Sequence, residues 1–597
     1  MKKILMVLLC LIFTSNLLFA QEIFLSLTKY SEPLENLPAN VTVITQEEIE
    51  NKHVNTLGEL LENETGVFYK TNGTTGDMPT VFMRGAASSA RTLVLIDGRR
   101  VNDAGSGGEN FAAIPASLIE RVEIIRGTGS AIYGTGAFGG VINIITKTAK
   151  ADAAMADVGF SFGSFQTFNP YAVVQHYGEN VSVLVGGDVY KTNGYRDNAD
   201  YKGSSLLFNA SINITENSSL SVSANSYSAD FGYPGSAADI SDTPGRRNDN
   251  NEYVKADYSL NLENSKLNLS AYISNNTSFN YGSWGDSITT NKTAGIQGDL
   301  LWQSFLFGAE FWQEYYVSDD VSGGIIAGNP GVDKSRNTSA LYAQWSAVFD
   351  NFRIIPAIRY DYNSAYGSVF TPSVSAVCRL SDYFKLSANF GKVWRAPTFN
   401  DLYSPWGSNP DLDPEEGISG DLGVEYVNNK VRLSAAGYYI QSKDLIVADA
   451  MWIPHNTDEA RQYGIELEAG YIITSWLSNK LNYTYLETEN KSKGFDGKSL
   501  AFSPNHSVNY TLTIKPFQKL SVSGVVSYKD KYYENADNTL KNDGFAAFDL
   551  NIAYKLNSDC SLWIKGFNLA NAKYQIVNGY PMPGATVYAG VNLKFWK

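Results

Sequence analysis

The stretch Val81–Thr148, VFMRGAASSARTLVLIDGRRVNDAGSGGENFAAIPASLIERVEIIRGTGSAIYGTGAFGGVINIITKT, decides how the rest of the chain is read. Short apolar runs at Val81–Met83, Leu93–Ile96, Val122–Ile125 and Val141–Ile145 are bounded by Gly, Asp, Asn and Arg clusters, the pattern of buried strands separated by turns. The spacing predicts a small mixed sheet. Arg-Gly follows two of the runs, at Arg84-Gly85 and Arg126-Gly127, so each strand delivers a guanidinium and then a glycine that can break the backbone at the same relative place. That repetition predicts two paired anchor points. Gly134, Gly136 and Gly139 have the spacing of a dinucleotide-binding loop, but such a loop must open a helix, and here it leads into the strand-like run Val141–Ile145.

Working outward toward the start, Lys2 and Lys3, the apolar run Ile4–Phe13 and Leu18-Phe19-Ala20 before Gln21 make residues 1–20 a secretory signal peptide. The run is too short to span a bilayer. Its removal takes the formal net charge of −14 two units lower, and so acidic a chain argues against nucleic acid, whose phosphates need Lys and Arg to neutralise them. Cys378 and Cys560 remain, far apart and without Cys-x-x-Cys spacing, and His53, His176, His455 and His506 are scattered. No structural metal is predicted from them, and whether the two cysteines pair is open. Glu22-Ile23-Phe24-Leu25-Ser26-Leu27-Thr28 is an isolated extended segment before a polar, Pro-bearing stretch; such a chain end is either frayed or available for strand addition to a partner. Thr45 with Glu48 and Thr56 with Glu59 have capping-box spacing and predict two short helices. Val41–Ile44 reads as a strand and Pro115–Arg121 as a further helical turn, so residues 31–150 make an α+β globule of ordinary domain size.

Beyond Ala156 the texture changes to alternation. Leu220, Val222 and Ala224 alternate with Ser221, Ser223 and Asn225, and the chain ends with Val587, Ala589, Val591, Leu593 and Phe595 against Tyr588, Gly590, Asn592 and Lys594. One face of such strands suits lipid, and 37 Tyr with 10 Trp supply aromatic girdles. A bilayer tolerates a sheet only as a closed barrel, because every backbone group must be paired. At about twenty residues per strand and turn, residues 151–597 allow roughly 22 strands.

The order MRG, LVLIDGRRVN, IERVEIIRG, SAIYGTGAFGGVINIIT closely resembles the plug domain of TonB-dependent outer-membrane receptors, and within them the cobalamin receptors look nearest. The resemblance implies an all-β transmembrane barrel of 22 antiparallel strands with an N-terminal α+β plug inside it. It implies four parts: signal 1–20, TonB box and linker 21–30, plug 31–150 and barrel 151–597. It places the chain as a monomer among outer-membrane lipid of a Gram-negative bacterium, importing a small organometallic ligand, and it implies energising by TonB with ExbB and ExbD. Residues Glu22 to Thr28 fall where the family keeps its TonB box.

The same resemblance assigns site residues. Two plug arginines of the family meet two barrel glutamates, so Arg84 and Arg126 are matched with Asp421 in GDLGVEY and Glu466 in YGIELEAGY; Asp421 is one methylene short, which leaves Glu425 as the alternative. Unpaired, both arginines would be costly to bury. Two candidate outer loops carry Asp197 and Asp200, then Asp230, Asp239 and Asp242. Carboxylates among Gly and Asn suit calcium or are simply a solvated acidic loop; the resemblance implies calcium ordering the loops over the ligand, with Asp230 and Asp242 matching best and Ala229 standing where the family has a ligating Tyr. Ligand contacts fall on Met78, Thr80, Ser88, Ser106 and Gly107 of the plug and on Tyr532 of the barrel. These small neutral groups suit a bulky neutral cargo, cobalamin before a ferric siderophore, although the late-barrel arginine of the family is replaced near Ala501-Phe502.

Trp394-Arg395-Ala396-Pro397 and Asn409–Leu412 resemble paired motifs of haem receptors, but no His lies between them to ligate haem iron. An outer-membrane hydrolase would need a Ser/His/Asp arrangement that four scattered histidines do not supply, so the chain is read as no enzyme, with no catalytic cofactor. A passive porin would have no plug.

Overall fold

The computed structural model describes residues 29, 32, 36–37, 40–77, 79–86, 88–238, 244–282, 286–320, 331–449 and 451–596. The alternating region closes into one antiparallel barrel of 22 strands, counting Val332–Trp345 and Ala347–Phe349 as one strand broken at Ser346. Closure is made by the last strand, Thr586–Phe595, pairing along the first, Ala156–Gly163. No helix among the described residues is long and apolar enough to cross a membrane; the strands do the crossing, since a closed barrel leaves no edge unpaired. Alternation gives the wall two faces: Leu206, Phe208, Ile212 and Ile214 point outward and are exposed, while Tyr201 and Leu207 point inward and are buried. At one end the connections are short, as at 216–217, 263–264 and 303–304, and at the other they are long, as at 193–200, 396–414, 491–505 and 568–585. Short turns mark the periplasmic end of such barrels and long loops the outer end.

The plug fills the barrel. Its strands and helices are β1 (Asn40–Ile44), α1 (Gln46–Lys52), α2 (Leu57–Leu61), β2 (Val67–Lys70), β3 (Thr80–Met83), β4 (Thr92–Ile96), β5 (Arg99–Arg100), β6 (Ile119–Arg126), α3 (Ser130–Tyr133) and β7 (Gly140–Thr146). Five strands make a mixed sheet in the order β1-β6-β7-β4-β5, with β4 and β7 parallel. Ile44, Leu60, Ile119, Val122, Ile124, Ile142 and Ile144 form its buried core. Thr45 and Glu48 make both bonds of the capping box that starts α1. Thr56 makes no such side-chain bond; its backbone bridges to Pro115 instead, and Glu59 accepts from Asn55 N. Two sequence expectations change. Val81–Met83 leaves the sheet and pairs with Val67–Lys70 as a separate hairpin, because Phe68 and Phe82 pack outward on Phe502, Tyr532 and Phe545 of the barrel. The turn after Pro115 is a 3-10 turn only as far as Leu118, and Ile119–Arg121 already belongs to β6.

Candidate functional site

The first site is the charged contact that holds plug to barrel. Arg84 directly follows β3 and Arg126 ends β6, and both guanidiniums are buried. Arg84 (φ 51°) and Gly85 (φ 73°) are both left-handed, which turns the Arg84 side chain out of the hairpin into the wall. There it donates to Glu466 through Nε (3.1 Å) and Nη2 (2.9 Å), with Asp421 Oδ2 3.8 Å from Nη1 and the Tyr438 ring 4.3 Å away. Arg84 therefore faces both barrel carboxylates assigned from the sequence. Arg126 does not share them: it donates to Thr65 O (2.8 Å), Thr42 Oγ1 (2.8 Å) and Asn40 Oδ1 (3.3 Å), and its carboxylate is Glu468 (3.4 Å). The correction follows from alternation, since Glu466 and Glu468 are two apart and face the lumen together. The alternative Glu425 is taken by Lys385 and Arg432 of the wall. A Cβ at Gly127 (φ 100°) would sit 2.5 Å from Asp421 Oδ2, so the glycine after Arg126 leaves room for the carboxylate.

A second charged contact sits nearer the outer end and was missed from sequence. Arg91 donates to Glu415 through Nε (2.7 Å) and Nη2 (2.8 Å), and Glu415 also meets Arg395 Nε at 3.1 Å and accepts from Ile446 N at 2.9 Å. Arg91 lies in a run without Arg-Gly, so no repeat flagged it. The WRAP segment is thereby explained: Arg395 also reaches Asp401 (3.1 Å), which caps the helical turn Phe399–Tyr403, and the N–H groups of Phe399 and Asn400 donate to Ala104 O (3.0 Å) and Gly105 O (3.1 Å) of the plug. An outer loop thus grips the plug's upward loop.

On that loop Ser106 is exposed and Gly107 is left-handed (φ 75°), its carbonyl accepting from Asn102 Nδ2 at 2.9 Å. Ser89 Oγ donates to Ser106 O at 3.3 Å, which brings Ser88, Ser106 and Gly107 together. Thr80 stands apart at the start of β3 beside Lys70. Met78 lies outside the described residues. Tyr532 is corrected: it is 3% exposed, its ring packs edge-on against Phe68, and its hydroxyl donates to Ile576 O at 2.7 Å, so it is a packing residue under the loops.

Of the acidic-loop residues, Asp239 and Asp242 lie outside the described residues, and Asp197 is exposed. Asp200 and Asp230 are both held by Arg246. Ala229 and Phe231 are buried facing the plug, so Asp230 between them points out of the barrel. No group of three or more His, Cys, Asp or Glu that could hold a metal occurs among the described residues. Calcium takes six to eight oxygens; of the described candidate carboxylates, Asp200 and Asp230 are engaged by Arg246 instead.

Residues 22–28 lie outside the described residues. Lys29, just after them, pairs with Glu310 (2.9 Å), and Glu32 pairs with Arg353 (2.8 Å), on strands that begin at the short-turn end. Cys378 and Cys560 are free thiols.

Comparison with known proteins bears on this architecture. A family model described as the TonB dependent receptor-like beta-barrel matches residues 148–592, and one described as the TonB-dependent receptor plug domain matches residues 33–141. Among similar proteins are the vitamin B12 transporter BtuB of Photobacterium profundum, 28% identical over 95% of this chain and 94% of the relative, and that of Vibrio cholerae, 24% identical over 96% and 95%. Similar solved structures include the siderophore receptor PirA of Acinetobacter baumannii (TM-score 0.78, 19% identity, 93% of this chain and 98% of that one). The ferric-catecholate import receptor Fiu of E. coli is also similar (TM-score 0.79, 17% identity, 94% and 98%). A plugged 22-stranded barrel whose plug and wall each match their own family model is an outer-membrane import receptor and no enzyme: the chain belongs to the TonB-dependent receptors.

Proposed function

We propose that this receptor imports cobalamin. The observation that carries the reading is the charge of the plug's upward surface. The described loops 71–77 and 103–109 contain no lysine or arginine, and they meet the outer loops at Tyr195 and Asn400 and the barrel wall at Tyr316. A strongly anionic ferric catecholate would find no cation on these loops and would face Asp103 there, whereas a bulky neutral cargo pays no such penalty. The vitamin B12 transporters among its relatives support the same cargo. The siderophore receptors among its structural neighbours, under 25% identical, share the fold and support the second reading, a ferric siderophore, less.

In this reading Glu22–Thr28 is the segment that TonB, driven by ExbB and ExbD, takes up by strand addition. The anchoring of Lys29 and Glu32 at the short-turn end, where that segment would emerge, supports it. The receptor works as a monomer, closing each barrel on itself. Equilibrium binding to purified receptor tests the cargo: saturable cyanocobalamin binding that a ferric catecholate does not displace is expected. Tight ferric-catecholate binding without cobalamin binding reverses the assignment.

A further inference from the structure

Where the outer ends of three neighbouring strands meet, the carboxylates of Asp200 and Asp230 and four backbone carbonyls are engaged by N–H groups of the protein. Arg246, at the start of Gly245–Leu262, donates from Nη1 and Nη2 to the two carboxylate oxygens of Asp200, each at 3.0 Å, and its Nη2 also meets Asp230. The register puts Arg246 opposite Gly232, whose N–H donates to Asp200 O at 3.0 Å, with Asp230 two residues along on the same face. Asn198, left-handed at φ 55°, sends its side-chain amide to Tyr233 O (2.7 Å) and Gly245 O (2.8 Å). Arg196 Nη2 donates to Gly235 O at 2.6 Å. Two carboxylates and four carbonyls gathered from separate loops are the donor set a hard cation would collect, and here each is met by a cationic or amide donor instead.

We propose that Arg246, assisted by Asn198 and Arg196, takes the place of a bound calcium ion at this junction, so that the described ends of these strands are fixed by a tethered cation and need no free metal there. The charge count agrees: one guanidinium between two carboxylates leaves one net negative charge, and a divalent ion could enter only by displacing the arginine from a bidentate, charge-assisted pair. A tethered cation also carries no dependence on external concentration, whereas an ion that binds only the ordered form stabilises it in proportion to its supply. The proposal does not rest on the identity of the cargo.

Calcium alone is the probe. Hydrogen exchange of segments 196–200 and 230–247 in the purified full-length receptor is expected to be the same in millimolar calcium and in chelator. Arg246→Met should speed exchange in both segments about two- to fivefold, the range for partly exposed ion pairs, and Asn198→Ala should speed the 230–247 segment without touching Arg246. Saturable calcium binding by the wild-type protein that slows exchange there would overturn the proposal. So would Arg246→Met exchange indistinguishable from wild type.

Discussion

The side-chain amide of Asn40 donates a 2.7 Å hydrogen bond to Glu466 Oε2, the oxygen that also accepts from Arg84 Nη2 at 2.9 Å. Asn40 opens β1, the strand reached first along the chain from the periplasmic end, and it pairs in register with Arg126. Two residues on, Thr42 Oγ1 donates to Glu468 (2.7 Å) while accepting from Arg126 Nη1 (2.8 Å). Peeling β1 from β6 therefore removes at once the hydrogen bonds that complete the Arg84–Glu466 and Arg126–Glu468 ion pairs. Thr42→Val keeps the shape and deletes the hydroxyl, leaving Arg126 and Glu468 each one bond short, at a cost of about 1–3 kcal/mol. The force that detaches β1, measured by pulling single receptors from an N-terminal handle, should fall. An unchanged force would separate β1 from the ion pairs.

Removing Glu466 leaves Arg84 buried with Asp421 3.8 Å away and no hydrogen-bonded carboxylate. Breaking a buried pair on one side typically costs about 3–5 kcal/mol. Glu466→Ala should lower the urea midpoint of plug unfolding accordingly. The double change Arg84→Met with Glu466→Met should recover much of the loss, because no charge is then stranded.

Gly127 is held at φ 100° with Asp421 where its Cβ would be. Gly127→Ala carries both a left-handed strain of about 1–2 kcal/mol and the displacement of that carboxylate. It should destabilise the plug more than Gly98→Ala, where φ is 78° but nothing lies within 4 Å. Equal losses at the two positions would mean that backbone strain alone matters.

Much of this was legible before the structure, and for physical reasons. The barrel is legible because lipid on one face and lumen on the other force a period of two, as at Leu206–Ile214. The anchor arginines are legible because Arg84-Gly85 and Arg126-Gly127 repeat a strand end. Their partners are less so: Arg126 meets Glu468 and not Asp421 because facing residues across a plug–barrel interface depend on the rotation of one body in the other, which no local pattern encodes. Arg91 and Glu415 are invisible for the same reason. Tyr532 looked available because an aromatic in a polar run, YKDKYYEN, reads as exposed, whereas the β2–β3 hairpin supplies Phe68 and Phe82 to bury it.

The coupling segment makes a separable prediction. Leu25→Pro removes a ladder donor and fixes φ, so strand addition to TonB should fail while the outer loops are untouched. Uptake by whole cells should be lost and binding to the same cells retained. Normal uptake would place the coupling strand elsewhere.

The charge of the plug's upward loop sets a pH test of the cargo. Burial pushes the Glu109 carboxyl up to about 8, with Asp103 adding to the rise and Arg99 opposing it. The folded chain thus keeps a proton that the unfolded chain, at an ordinary 4.5, has released. The resulting stability is fully present below pH 4.5 and is lost as pH rises through about 8. Glu109→Gln should flatten that part of the plug's stability–pH curve, read from urea unfolding with a fluorophore on a cysteine at Ser106 in a Cys378→Ser, Cys560→Ser background. For cargo, the loop gains a negative charge only above about pH 8. Cobalamin affinity should then stay within about twofold from pH 6 to pH 9 in wild type and in Glu109→Gln, since a neutral ligand meets little Coulomb cost at partly solvated sites. An anionic siderophore would bind more weakly as Glu109 ionises, and Glu109→Gln would abolish that loss. A cobalamin affinity that collapses above pH 8 in wild type but not in Glu109→Gln would show that the cargo meets this loop as an anion, against the neutral-cargo reading.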